Sequence, residues 1–154
     1  MKNILIVSGV FPPEPVTTAF MNYDLAIELA KNHNVTVIRP RPTRPMGKKY
    51  DGYQIVFPFK CIVMDSFTCP ESKLLGRMKE SWSFGMACSN YIKEHKAEID
   101  VVYNASWQLF GYKIVAKECN KQGIPYVVPI QDIYPECLFT NKHYSAIIVK
   151  LISS

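Results

Sequence analysis

The sequence predicts an α/β domain built on a doubly wound, mainly parallel sheet with helices on both faces. Short runs of consecutive apolar or β-branched residues recur along the chain, and such runs suit strands that are covered on both faces. Segments with helical periodicity separate most of these runs, as the crossovers of a parallel sheet require. The length of 154 residues is that of one domain with its own core, so residues 1–154 are expected to form a single Rossmann-like domain.

The first predicted strand leads into a rigid loop. Asn3–Val7 is an apolar run that Gly9 ends, and the prolines at 12, 13 and 15 exclude regular structure from the residues that follow. Thr17 or Thr18 is then expected to cap a helix. The apolar residues of that helix recur at Met21, Leu25 and Leu29. This arrangement presents backbone N–H groups and a positive helix end at the sheet edge where ligands gather in such folds.

The later elements are predicted from the same patterns. Strands are expected at residues 34–38, 100–104 and 124–130, and the apolar residues from 53 to 64 form either a strand pair or a strand and a loop. Helices are expected at 71–96, at 107–122 and from 142 onward, with a loop at 131–139. The inward face of the long helix is assigned to Leu75, Met78, Trp82 and Ile92. The next helix has its inward residues at Phe110, Gly111, Ile114, Val115 and Cys119, and Gly123 ends it.

The charge pattern excludes a nucleic-acid binder and directs attention to one loop. The net charge of +5 is matched by the five cations Arg39, Arg41, Arg44, Lys48 and Lys49, so the remainder of the chain is balanced. This proline-rich loop is either a solvated connection or a surface that contacts an anionic membrane or a diphosphate. The first three of these residues, Arg39, Arg41 and Arg44, are the candidates for that contact.

Composition excludes several other classes of protein. No apolar stretch approaches the roughly 20 residues that cross a bilayer, and the N-terminal run lacks the features of a signal peptide. The five cysteines have no metal-ligand spacing, so neither a metal nor a cofactor is expected, and free thiols in a reducing cytoplasm are their predicted state.

Three segments share their order and spacing with one family. The first runs from KNILIVS and FPPE to DLAIELA and VTV, within residues 2–37. The second is the strand DVVYN at 100–104, and the third is PYVVP at 125–129 followed by DIYPE at 132–136. Together they resemble the N-terminal half of a retaining glycosyltransferase of family 4 with the two-domain GT-B architecture. The third segment is similar to the D-L-W-P-E signature of the bacterial surface-polysaccharide transferases in the fucosamine-transferase-like branch.

The resemblance implies transfer of a sugar from a nucleotide-sugar donor to a saccharide acceptor, which is lipid-linked in much of this branch. It implies that this chain is the acceptor-side domain, and that the donor is bound by a C-terminal domain absent from these 154 residues. The isolated chain is then expected to lack transferase activity. The implied location is the cytoplasm, with peripheral contact on the inner face of the cell membrane.

The resemblance also implies the site residues. Asp132 stands near the position where many relatives have a catalytic-site histidine, and its carboxylate could orient or deprotonate the acceptor hydroxyl. The substrate-binding candidates are Gly9, Glu14, Thr17, Thr18, Asn104, Ser106, Tyr134 and Glu136. The competing interpretations are structural: the first loop is a simple connection, Ser106 caps the helix that follows with Trp107 in the core, and Asp132 caps a turn over Tyr134.

Two other classes of function fit the same sequence. One is a stand-alone nucleotide- or phosphate-binding module, although the Gly-rich phosphate fingerprint is absent. The other is a non-catalytic interaction domain, which would use an exposed apolar face formed by Ala146, Ile147, Leu151 and Ile152.

Overall fold

A computed structural model describes residues 1–50, 55–71, 73–106 and 110–130 of the chain. Its five strands form one all-parallel sheet with the order β3-β2-β1-β4-β5. The strands are β1 (Asn3–Ser8), β2 (Asn34–Arg39), β3 (Lys60–Val63), β4 (Val101–Ala105) and β5 (Tyr126–Val127). The predicted doubly wound α/β fold is confirmed.

The strand β1 lies at the centre of this sheet. Its residue Val7 pairs with Ile38 of β2 on one side and with Asn104 of β4 on the other. Residues 4–8 of β1 are all buried, because the side chains on both faces of the sheet are covered. The consecutive apolar run that predicted β1 therefore has its expected cause.

The helices cover both faces of the sheet. They are α1 (Thr17–Ala30), α2 (Leu74–Glu94) and α3 (Gly111–Gln122), and a short 3-10 turn at Lys96–Glu98 follows α2. α1 contributes to the cluster that includes Ile4, Ile6, Val35 and Val37. α2 and α3 pack on the opposite face against Leu5, Val7, Ile38 and Val102. None of the helices in the described part of the chain is long and apolar enough to span a bilayer.

The start and the inner face of α1 differ from the prediction. Val16 occupies the N-cap position in extended conformation without a side-chain cap, so neither threonine caps the helix. The buried residues of α1 are Ala19, Asn22 and Ala26, whereas Met21 is exposed. Small side chains at 19 and 26 let the helix axis approach the sheet, which moves the contact line one residue away from Met21.

The inward face of α2 is the largest error of the sequence-based prediction. Leu75 and Trp82 were assigned to the core, but their exposed fractions are 79% and 55%. The buried residues are Glu80, Ser81, Phe84, Gly85, Cys88 and Ile92. Both sides of this helix carry apolar residues at helical spacing, so periodicity alone did not identify the side that packs on the sheet.

The remaining elements differ from the prediction mainly in their bounds. β5 covers only Tyr126–Val127 of the strand predicted at 124–130. Residues 55–59 contain no strand, so β3 stands without a hairpin partner in that described segment. α3 buries Gly111, Val115 and Cys119, and Gly123 ends it with a φ of 70°. Phe110, by contrast, is 37% exposed and lies outside the core. The loop predicted at 131–139 and the helix predicted from 142 lie outside the described residues.

The cysteines of the described segments are free thiols, as predicted. Cys88 and Cys119 are buried in the core, and Cys61 and Cys69 are partly buried. Burial raises the pKa of the Cys119 thiol to about 11, with the neighbouring Glu118 charge adding to the effect. Thiols held protonated in this way act as small apolar core groups.

Candidate functional site

The candidate site lies where β1 and β4 end side by side. Ser8 pairs with Ala105, and the Gly9 N–H donates to the Ala105 carbonyl oxygen at 3.1 Å. After β1 the chain passes to α1 on one face, and after β4 it passes to α3 on the other face. The two connections therefore diverge at the reversal of strand order, where open α/β sheets usually have the crevice that binds their ligand.

The first loop is held by buried polar contacts at its start. The Ser8 hydroxyl donates to the Val10 carbonyl oxygen at 2.5 Å and accepts from Asn22 Nδ2 at 2.8 Å. Both side chains are fully buried, so α1 and the end of β1 are joined by groups that have no access to water. The loop that begins at Gly9 is thereby an ordered connection, as the prolines predicted.

The same loop also packs in an aromatic cluster. Phe11 is almost fully buried, and its ring lies within 5.6–6.2 Å of the rings of Tyr23, Phe57 and Phe59, measured between centroids. These tilted and edge-to-face contacts connect the first loop to α1 and to the residues that precede β3.

Glu14 turns into the protein and not toward the crevice. Its exposed fraction is 3%, and its Oε1 accepts the backbone N–H groups of Thr43 at 2.8 Å and Arg44 at 2.9 Å. Burial raises the pKa of this carboxyl above its ordinary value and the nearby Glu80 charge raises it further, whereas the Thr43 N–H and the Arg39 charge lower it. Glu14 thus joins the first loop to the basic loop, and sugar hydroxyls have no direct access to it.

Glu80 of α2 is the centre of an ionic cluster that the sequence analysis did not identify. This carboxylate is 1% exposed, and its Oε2 accepts from Arg44 at 3.4 Å and from Arg77 at closer range. Its Oε1 accepts the Cys69 N–H at 3.2 Å. One indication was present in the sequence: Glu80 follows Arg77 by three residues, so the two side chains can pair on one face of a helix. A glutamate is seldom fully buried unless it is paired in this way.

The three predicted arginines have three different environments. Arg39 extends from β2, donates to the Pro40 carbonyl oxygen at 3.3 Å and lies close enough to Glu14 to affect its pKa. Arg41 pairs with Asp65 at 3.4 Å at the surface, and Arg44 pairs with the buried Glu80. The basic loop is therefore fastened to the body of the domain through two carboxylates, at Glu14 and at Glu80.

Asn104 and Ser106 also form contacts within the protein. Asn104 is fully buried, and its Oδ1 accepts from the Ser106 hydroxyl at 2.6 Å and from the Ser106 N–H at 3.3 Å. Its Nδ2 donates to the Tyr112 carbonyl oxygen at 3.3 Å. The two residues hold the connection from β4 to α3 in place. The expected helix cap at Ser106 is wrong, because the N-cap position of α3 is Phe110 and Ser106 bonds to Asn104 instead.

The N-termini of α3 and α1 differ in their availability. The Ser81 hydroxyl of α2 accepts the N–H groups of Phe110 and Gly111, both at 3.0 Å, and so closes the start of α3. α1 has no side-chain cap, and its first hydrogen bond runs from the Ala19 N–H to Val16 at 3.0 Å. The N–H groups of Thr17 and Thr18, the two residues before Ala19, belong to the first turn and so have no acceptor within the helix.

The predicted site residues thus fall into separate groups. Six of them lie at the carboxyl edge of the sheet: Gly9 and Glu14 in the loop after β1, Thr17 and Thr18 at the start of α1, Asn104 near the end of β4 and Ser106 just after it. Thr17 is exposed and Thr18 is half-buried, whereas Glu14, Asn104 and Ser106 are buried. Asp132, Tyr134 and Glu136 lie outside the described residues.

Two further features of the described residues bear on ligands. A cavity of about 340 Å³ lies at the opposite edge of the sheet, and its lining includes Asn34, Thr36, Tyr91, His95 and Glu98. This cavity is beside the amino ends of β1 and β2, and therefore far from the carboxyl ends of β1 and β4. Within the described ranges, no cluster of His, Cys, Asp or Glu side chains is arranged to hold a metal ion.

The sequence was compared with models of protein families and with curated proteins. No model of a protein family matches the sequence, and no curated protein matches it. Function is therefore inferred from the geometry of the carboxyl edge and from the resemblance of the three sequence segments.

Proposed function

We propose that this chain is the acceptor-side domain of a retaining glycosyltransferase that acts in bacterial surface-polysaccharide synthesis. In this proposal a sugar passes from a nucleotide-sugar, held by a separate donor-binding domain, to a saccharide acceptor that is linked to a lipid. The acceptor lies in the crevice between the connections that follow β1 and β4, and the protein works in the cytoplasm at the inner face of the membrane.

The observation that carries the proposal is the open N-terminus of α1 beside that crevice. Unpaired N–H groups and the positive end of a helix attract an anionic group such as the diphosphate of a lipid-linked saccharide. Thr17 and Thr18 add hydroxyls that can bond to the same group or to the first sugar. At α3, by contrast, the Ser81 hydroxyl already accepts the N–H groups of Phe110 and Gly111.

The buried residues have a positioning part in this proposal. Glu14 holds the first loop against the basic loop, and Asn104 holds the loop after β4 against α3. Both therefore shape the walls of the crevice without contacting the acceptor. Asp132 remains the proposed catalytic carboxylate, as the resemblance implies.

A pair of substitutions at Thr17 tests the anion contact. Thr17 is the first residue of α1, where proline is tolerated, and Val16 before it is already extended with a φ of −121° and a ψ of 145°. Thr17→Pro therefore removes an N–H group and a hydroxyl without breaking the helix, and Thr17→Ala removes the hydroxyl alone. A hydrogen bond to a charged group contributes about 1.5–3 kcal/mol.

The measurement is calorimetric binding of a short-chain polyprenyl diphosphate monosaccharide to each variant. We expect Thr17→Pro to weaken binding by about tenfold or more and Thr17→Ala to weaken it less. Equal binding by all three proteins would contradict the anion contact. Tight binding of a nucleotide alone, without affinity for the saccharide probe, would favour a stand-alone nucleotide-binding module.

A transfer assay tests whether donor binding requires a domain other than this chain. The isolated chain, incubated with labelled nucleotide-sugars and saccharide acceptors, is expected to give no transfer product. Appreciable turnover would show that this chain binds the donor by itself and would overturn its assignment as an acceptor-side domain.

A further inference from the structure

The outward face of α2 has an unusual composition. The exposed residues of this helix are Leu75, Lys79, Trp82, Met86, Asn90, Lys93 and Glu94. All but the last recur every three or four residues, so they form a single stripe along the helix. Leu75, Trp82 and Met86 are 79%, 55% and 38% exposed, although they belong to the residue types that proteins usually bury.

The segment before α2 adds to this stripe. Phe67 is 39% exposed, and Lys79 Nζ lies 4.4 Å from the centroid of its ring. The Phe67 N–H donates to the Ser83 hydroxyl at 2.9 Å, which fixes the segment along the helix. The apolar surface therefore extends from α2 onto Phe67, and Lys79 lies between that ring and the apolar residues of the helix.

The charged side chains on the stripe itself are lysines. Lys79 and Lys93 lie on the stripe, and the exposed Lys73 precedes it, paired with Glu71 at 2.5 Å. Among the carboxylates of α2, Glu80 is buried on the inward side and Glu94 lies in the last turn. The outward face is thus both apolar and cationic.

We propose that the outward face of α2, with Leu75, Lys79, Trp82, Met86 and Lys93, docks the protein onto an anionic membrane surface. A tryptophan and aliphatic side chains on one helix face, accompanied by lysines, suit the boundary between headgroups and acyl chains. A second copy of the chain fits less well, because a two-fold contact through this stripe would bury Lys79 and Lys93 against a face that carries the same cations. The inference rests on the peripheral location included in the proposed function.

The proposal moves the membrane contact away from the basic loop. Arg44 is 18% exposed and is paired with Glu80, and Arg41 is paired with Asp65. The stripe on α2, in contrast, combines lysines with apolar side chains that have no covering element in the described part of the chain.

Vesicle sedimentation tests the proposal without requiring sugar transfer. The protein is mixed with vesicles of phosphatidylcholine, with or without phosphatidylglycerol. We expect binding only where the anionic lipid is present. Leu75→Gln and Trp82→Gln keep the charge and should each lower the partition coefficient by about tenfold, and Lys79→Gln should lower it by about fivefold. Met21→Gln, an exposed apolar position on α1, is the matched control and should bind as the wild type does.

A second readout reports on the face itself. In a Trp107→Phe background, Trp82 is the single tryptophan, and its fluorescence should shift to shorter wavelength and be quenched by brominated lipid. Absence of vesicle binding, or binding that is unaffected by the three α2 substitutions, would overturn the proposal. Self-association that Trp82→Gln abolishes, without vesicle binding, would overturn it in favour of a second copy. Vesicle binding without acceptor binding would sustain the docking face while the transferase assignment fails.

Discussion

In an ordinary surface helix the inward face is apolar and the outward face is polar, but the two faces of α2 depart from this pattern. The inward face buries a glutamate and a serine, Glu80 and Ser81, beside Phe84 and Gly85. The outward face exposes Leu75 and Trp82. Polar residues are inside because partners from distant segments meet them there, namely Arg44 of the basic loop and the N-terminus of α3. Burial of a side chain is therefore decided by its partners as well as by its polarity.

The largest effect is expected from removal of the inward carboxylate. Glu80→Ala leaves Arg77 and Arg44 without this partner and the Cys69 N–H without its acceptor. Breaking a buried ion pair costs about 3–5 kcal/mol of the free energy of unfolding, and the lower end applies because both arginines keep some contact with water. Urea denaturation measures the loss. Lys79→Ala, one residue away on the outward face, should change stability by less than about 0.5 kcal/mol. Similar losses for the two variants would show that the faces are not distinct.

A smaller effect is expected where α2 and α3 approach each other. A Cβ atom at Gly85 would lie 3.1 Å from Gly111 Cα and 3.0 Å from Ile114 Cδ1, so a larger side chain must separate the helices. Gly85→Leu should lower the free energy of unfolding by about 1–3 kcal/mol, measured by urea denaturation. Met86→Leu, on the outward face, should have almost no effect. An unchanged Gly85→Leu protein would contradict the close packing of the two helices.

The smallest effect is expected in the pH dependence of stability, because Glu80 on the inward face of α2 affects the pKa of Glu14. Burial and the Glu80 charge raise the pKa of Glu14 above its ordinary value of 4.5, so the folded protein binds a proton there more readily than the unfolded chain. The stability from this group is fully present below pH 4.5 and is lost as pH rises through the raised pKa. The wild type should gain stability relative to Glu14→Gln as pH is lowered from neutrality, measured by urea denaturation at several pH values. A relative loss would mean that the Thr43 and Arg44 N–H groups outweigh burial.

The strands were predictable because their signal is local. Consecutive apolar residues at 4–7 and β-branched residues at 35–38 identify β1 and β2 without knowledge of their neighbours. Gly123 likewise marked the end of α3, since its positive φ is a local requirement. The position of the crevice follows from these elements and the parallel order of the strands.

The candidate site was predictable in position but not in the role of each residue. Glu14 and Asn104 were expected to bind substrate because of their chemistry and their place after strands. Their contacts to Thr43 and Tyr112 come from parts of the chain whose location no sequence pattern indicates. Glu80 was overlooked for the same reason.

The sequence by itself determined the α/β class, the strands β1, β2 and β4 and the end of α3, because each depends on residues near one another in the chain. Tertiary structure alone decided which face of α2 is inward and which polar groups of the carboxyl edge remain available. The physical reason is that a buried charge or hydroxyl is stable only with a partner, and here those partners lie about 30 residues away in Arg44, Phe110 and Gly111.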